Sequence, residues 1–236
     1  MTEEHKEGKL FNFMKRNAKR LIKAKFVLPK PICRFLFKER VFRQYAWTYI
    51  KSKLYYENIM RYRCKEIGEN FLLFGEVPFM EGDGDIIIGN NVTMYGKVVM
   101  FTGGDIHKDS KIVIGDNTSI GFGVVFRTAR EIIIGKNCMI GGGTRISDND
   151  GHPIHAKRTE ENTKVPLEDV KPVIIEDDVW IGEQSKILKG VTIGKGSIIS
   201  TGSIVTKSIP PMKIAMGNPA RAVMWVPGAE PEKEQN

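Results

Sequence analysis

Cysteine is scarce in this chain: Cys33, Cys64 and Cys138 are its only three. The number is odd, and the three show neither paired spacing nor a histidine cluster. That speaks against a disulfide framework and a zinc site, and favours a reducing, cytoplasmic setting. Long apolar runs are missing too. No stretch approaches the roughly 20 residues that a bilayer crossing requires, and none near residue 1 reads as a signal peptide. Histidine is confined to His5, His107, His152 and His155, so imidazole chemistry has few candidates.

What is present divides unevenly. Residues 1–65 carry 18 Lys and Arg against 5 Asp and Glu, which leaves 18 against 23 for residues 66–236. A basic arm of 1–65 therefore precedes a mildly acidic remainder. Aromatic and basic residues alternate in the arm, as in Phe11, Phe13, Lys15, Arg16 and later Phe35, Phe37, Arg40, Phe42, Arg43 and Trp47. Stretches 10–26 and 39–62 read as helices, broken by Pro29 and Pro31. Such an arm suits a peripheral contact with an anionic inner-membrane face or an anionic polymer, or folds back on its own acidic half. No nucleic-acid partner is implied.

From Ile88 onward an apolar residue recurs every six positions: Ile88, Met94, Met100; Ile114, Ile120, Phe126; Ile134, Ile140, Ile146; Ile175, Ile181, Ile187; Ile193, Ile199, Val205. Two residues earlier stands a small or β-branched side chain, such as Val92, Thr118, Cys138 or Ser203, so both face one side of a short strand. Three residues later comes Asn, Gly or Asp, which tolerates a sharp corner. Three hexads make an 18-residue triangular coil, and stacked coils bury one continuous apolar column. A six-residue spacing walks around a 3.6-residue helix, which excludes the helical alternative. Insertions interrupt the series, the longest being 23 residues after Ile146. Ile67, Leu73 and Phe79 are read as a less regular front coil, giving five to six coils in residues 66–211. A loop at 147–172 leaves this stack, and a short C-terminal segment of 212–236 follows it.

The repeat, with Ile114-Gly115-Asp116-Asn117, Ile134-Gly135-Lys136-Asn137 and Ile193-Gly194-Lys195-Gly196, resembles that of the hexapeptide-repeat acyltransferases. The resemblance covers about half of the chain. It implies an all-β core in the form of a left-handed parallel β-helix, a homotrimer, and acetyl-CoA as acyl donor with no metal required. Periodicity alone does not give the hand. Gly151-His152-Pro153-Ile154-His155 is similar to the Gly-His-Pro segment of galactoside and maltose acetyltransferases, which implies that His152 is the catalytic base, with a lesser part for His155. Val179-Trp180-Ile181-Gly182 resembles the segment whose Trp walls the acceptor pocket. Trp180 lies between two inward positions and so points outward, toward a ligand or a neighbouring subunit. The stretches Thr206-Lys207-Ser208-Ile209-Pro210-Pro211 and Gly217-Asn218-Pro219-Ala220-Arg221 look like the coenzyme A end of the family. They imply that Gly202, Ser203, Thr206 and Lys207 line the coenzyme track and that Arg221 approaches its phosphates. Lys189 is 18 residues from Lys207 and shares its corner one coil earlier, so the two cations call for an anion between them.

Register places Arg127 one coil before Ser147, at the root of the loop, with Arg130 close by. Where the galactoside enzymes hold sugar hydroxyls with Asn and Asp, this chain has Gly121 or Gly123 and Thr128. Basic residues in that place suit an anionic sugar acceptor; an internal pair of Arg127 with Asp148 or Asp150 accounts for them equally. The outline is closest to O-acetyltransferases of capsule, O-antigen or similar polysaccharides. An N-acetyltransferase of an amino sugar, an antibiotic acetyltransferase, a γ-class carbonic anhydrase and a non-catalytic scaffold are the alternatives, and a base in this position serves either nucleophile.

Overall fold

A computed structural model describes residues 27–103, 109–152 and 165–230. The chain divides into two compact units, Met1–Tyr45 and Ala46–Asn236. The first is described from residue 27. It contains the start of an α-helix, α1 (Lys30–Lys51), none of whose residues is buried. This helix begins nine residues before the start expected from the sequence. Pro31 does not break it, because the first turn needs no backbone donor and the ring pre-sets a helical φ. The expected helix at 10–26 lies outside the described residues.

In the second unit the helical path continues through a π-helical turn, Ser52–Tyr56, into a short helix, α2 (Glu57–Arg63). Ser52 accepts a hydrogen bond from the Leu73 N–H at 2.9 Å, and Lys53 donates to the Phe71 carbonyl at 3.1 Å. Met60 is wholly buried in the same apolar cluster as Phe71 and Leu73. The helical segment thus closes the first end of the β-stack.

The stack itself has three parallel faces of six, eight and six strands, the middle one extended by a C-terminal hairpin. Along the first face Ile88, Ile114, Ile134, Ile175 and Ile193 are in register. Met94, Ile120, Ile140, Ile181 and Ile199 align on the second. The third carries Met100, Phe126, Ile146, Ile187 and Val205. All fifteen repeat positions are at most 3% exposed, so the six-residue period is the period of a buried column. The corner residues take positive φ as the pattern requires, for example Asn117 at 57° and Gly143 at 70°. This is the parallel β-helix expected from the sequence.

The front coil differs by one residue. Ile67 and Leu73 pair with Ile88 and Met94 as expected, but Met80, not Phe79, pairs with Met100. The corner at 75–78 is one residue longer than the repeat allows, and a one-residue slip turns a side chain to the opposite face. Phe79 therefore points outward, 56% exposed, with its ring edge-on to Phe101 at 6.0 Å.

Polar ladders run along the outside. The Nδ2 groups of Asn70, Asn91, Asn117 and Asn137 each donate to the next rung, at 3.0, 3.0, 3.1 and 2.9 Å, ending on Asp178. At the far end the antiparallel hairpin Lys213–Gly217 and Ala220–Trp225 buries Ala215 and Ala220 against the column.

Candidate functional site

The long insertion leaves the third face after Ser147, whose strand neighbour is Arg127, and that of Arg127 is Phe101. Its two ends are tied together: the Lys171 N–H donates to the Asp148 carbonyl at 2.9 Å, and the Lys171 carbonyl accepts from Gly190 at 3.0 Å. The excursion thus has a closed base.

Asp148 fixes that base. Its carboxylate is completely buried. It accepts from the hydroxyl of Thr128 at 2.7 Å, from the backbone N–H groups of Ala129, Arg130 and Glu131 at 2.8, 2.7 and 2.8 Å, and from Asn149 Nδ2 at 2.7 Å. Consecutive N–H groups curled round one carboxylate form an anion-binding concavity that offsets its desolvation. Next, Asn149 Oδ1 accepts from the Gly151 N–H at 2.8 Å, and Ser147 donates to the Asn149 carbonyl. Asp150 in turn forms an ion pair with Lys189, 2.5 Å between Nζ and Oδ2. Residues 147–151 are therefore held one by one, and His152, exposed, is the first residue beyond them.

The structure brings some of the expected site residues together and not others. Arg127 lies at this root: its guanidinium sits over the Phe101 ring, 4.7 Å from the centroid. Its Nη1 would be 3.8 Å from a Cβ built on Gly151. Arg127 pairs with neither of the carboxylates considered for it: Asp148 accepts from the 128–131 turn, and Asp150 pairs with Lys189. Arg130 is exposed and contributes its backbone N–H to Asp148. His155 and His107 lie outside the described residues. Trp180 points outward and is 49% exposed, on the second face beside Met139.

Lys189, expected on the coenzyme track, directs its ammonium to Asp150, so the anion its position calls for is a carboxylate of the chain itself. Gly202 forms an open corner: a Cβ there would meet nothing within 4 Å. Ser203 is buried, its Oγ accepting from the Gly217 N–H at 3.3 Å, its own N–H donating to the Ser200 carbonyl and its carbonyl accepting from the Lys186 N–H, so it turns neither side chain nor backbone to the surface. Thr206 and Lys207 are exposed after the last coil. Arg221 stands exposed in the hairpin and donates to the Ala220 carbonyl at 3.0 Å. Neither Lys207 nor Arg221 has a carboxylate partner among the described residues. An exposed lysine and an exposed arginine without such partners, together with an open glycine corner, suit a long, phosphate-bearing ligand such as a coenzyme A molecule. Sequence reasoning missed Phe101 under Arg127 and the anchoring part of Asp148; neither bears a motif, because each acts across coils.

Residues 172–207 match the family described as bacterial transferase hexapeptide (six repeats). Over those residues the chain carries that family's repeat. It is similar to the galactoside O-acetyltransferase of Escherichia coli K12, 34% identical over 136 residues that cover 58% of this chain and 62% of that one. It is also similar to the polysialic acid O-acetyltransferase of Escherichia coli O1:K1, 36% identical over 117 residues, 49% of this chain and 37% of that one. The match therefore spans less than two thirds of each relative. Among solved structures, a hexapeptide-repeat-containing acetyltransferase of Vibrio cholerae superposes with a TM-score of 0.52 at 26% identity, over 72% of this chain and 78% of that one.

Proposed function

We propose that this protein is an acetyl-CoA-dependent O-acetyltransferase acting on a sugar hydroxyl of a surface polysaccharide or its precursor, with His152 as general base. The observation that carries the reading is the pinned root of the long loop, which presents His152 in the open at the end of five anchored residues. Support also comes from the named activities of its relatives, whose shared feature is transfer of acetyl groups to sugars. Acetyl-CoA would lie along Gly202, Thr206 and Lys207 with its phosphates toward Arg221.

In the reaction the imidazole of His152 takes the proton of the acceptor hydroxyl as its oxygen attacks the thioester carbonyl. The new C–O bond forms, the C–S bond breaks, and the departing thiolate recovers the proton from the imidazolium. Replacing His152 by Ala is expected to lower turnover by about 10² to 10⁴-fold. Thiol release from acetyl-CoA in the presence of a sugar acceptor measures it, and near-normal turnover removes His152 from the role.

The assembly belongs to the same reading. On the second face Met139, Trp180, Ile198, Ile214 and Met224 line up on successive strands as one outward apolar row. Such a row suits a neighbouring subunit in a homotrimer. Light scattering on the purified protein gives the mass directly, and a stable monomer overturns the trimer.

A peripheral membrane contact is favoured by one further observation. Within the first unit, Phe35, Phe37 and Phe42 are each at least two thirds exposed and alternate with Arg34, Lys38, Arg40 and Arg43. No helix among the described residues is long and apolar enough to cross a membrane, so this one would lie in the plane of an anionic lipid surface. Sedimentation with vesicles containing phosphatidylglycerol is expected to retain the protein at low salt and release it at high salt. Equal binding to neutral vesicles, or none to either, overturns the contact.

A further inference from the structure

We infer that Arg127 forms a subsite for a carboxylate of the acceptor, so that the sugar acetylated is an acidic one. The inference rests on the acetyltransferase reading above and narrows it to a substrate class.

Arg127 has no carboxylate partner among the described residues. A guanidinium this close to two aspartates would ordinarily be expected to pair with one of them. Both are already taken. Asp148 accepts from the Thr128 hydroxyl, from three consecutive backbone N–H groups and from Asn149. Asp150 holds Lys189 at 2.5 Å. Glu81 shares the outward row of the third face with Arg127 but stands two strands away, with Phe101 between them. Glu131, the next acid along the chain, pairs with Lys111 at 2.7 Å. Every described acid near Arg127 is thus committed elsewhere or separated from it.

The Phe101 ring under the guanidinium supports it by a cation–π contact and leaves the edge of its planar fork open for two parallel hydrogen bonds. Its Nη1 lies beside Gly151, the residue immediately before His152. Glycine adds no Cβ to crowd the approach. A donor fork next to the base is where a negatively charged substituent would be gripped while a hydroxyl of the same sugar faces the imidazole. Arg130, exposed three residues on with its backbone tied to the loop root, adds a second positive charge to the field at that point.

The test compares charged and neutral forms of one acceptor. Methyl glycosides of sialic, glucuronic and galacturonic acid, their methyl esters, and neutral methyl galactoside are offered with acetyl-CoA, and thiol release is followed. At least one free acid is expected to exceed its own ester in kcat/KM by about 30-fold, the scale of a charge-assisted pair. Arg127→Gln is expected to remove that preference chiefly through the KM of the acid, and Arg127→Lys to restore part of it. Because the side chain is exposed, an unaltered thermal midpoint of both variants confirms that the effect is not one of folding. Equal rates for acid and ester, or a preference that survives Arg127→Gln, overturns the subsite while leaving the acetyltransferase reading standing. Failure to acetylate any of the sugars overturns the acetyltransferase reading, and the subsite falls with it.

Discussion

Lys189 and Asp150 meet at 2.5 Å across the gap between a β-helix corner and the loop that carries His152. The pair joins two segments 39 residues apart in the chain. Both side chains are partly exposed to solvent, so its worth to global stability is small, about 0.2 to 1 kcal/mol. Its worth to geometry is larger, because Asp150 is two residues from the imidazole. Lys189→Met is expected to leave the thermal midpoint within a few degrees, to lower kcat about tenfold by loosening the loop, and to leave the KM for acetyl-CoA nearly unchanged. A rise in that KM at constant kcat would return Lys189 to the coenzyme track that sequence reasoning assigned it.

Asp148 makes the opposite trade. Its carboxylate is buried, and it satisfies three consecutive backbone donors. Asparagine is nearly the same size, but one of its two oxygens becomes an NH2 that cannot accept, so at least one donor is orphaned. Asp148→Asn should cost about 2 to 4 kcal/mol. Urea unfolding of the variant would show it as a lower midpoint with an unchanged slope, and a loss under 1 kcal/mol would show that the concavity tolerates a neutral partner.

These two residues mark the boundary of what the sequence discloses. The inward column was legible because each coil repeats the same demand: a position six residues on returns to the same buried site, so Ile114, Ile134 and Ile193 repeat one another for one physical reason. Asn117 and Gly143 were legible as corners on the same ground, since few side chains tolerate their φ. Phe79 was misplaced because a single extra residue in a corner reverses the facing of a strand without altering its composition. The start of α1 was misplaced because proline breaks a helix interior but not a first turn. At the site, His152 stood out by residue type, whereas the bonds that position it, Asp148 to the 128–131 turn and Asp150 to Lys189, join different coils. The stacking that creates them has no one-dimensional trace.

Acid should weaken the fold through the outer corners. Asp116 is held below the ordinary carboxylate range first by the Asn90 backbone N–H and then by Lys136, and Asp178 first by the Asn137 amide, with Lys195 adding to it. Both folded values are depressed, so their stabilisation is complete above the unfolded value. As the pH drops below about 4, the unfolded chain takes up protons first, and the advantage is lost until the folded carboxyls are also protonated. Urea midpoints measured from pH 6 to pH 2.5 should be flat at first and then fall. Asp116→Asn keeps an acceptor oxygen but no proton linkage, so its midpoint should fall less steeply than that of the parent below pH 4. Parallel curves for the two proteins would remove Asp116 from the acid response.

Asn117, the middle rung of the asparagine ladder, allows strain and hydrogen bonding to be told apart. Its Oδ1 accepts from Asn91 at 3.0 Å and its Nδ2 donates to Asn137 at 3.1 Å, while its backbone sits at φ 57°. Alanine removes both bonds and also pays for the left-handed conformation, about 1 to 2 kcal/mol. Glycine removes the same bonds without that penalty. Asn117→Ala is therefore expected to destabilise by about 2 kcal/mol and Asn117→Gly by about half as much, since each exposed side-chain bond contributes only about 0.5 kcal/mol. Equal losses in the two variants would mean that the ladder, not the corner, selects asparagine; no loss in the glycine variant would mean that the ladder bonds merely replace bonds to water. The predicted intermediate result assigns the residue to both demands at once, which is why asparagine stands at 91, 117 and 137 where glycine serves other corners.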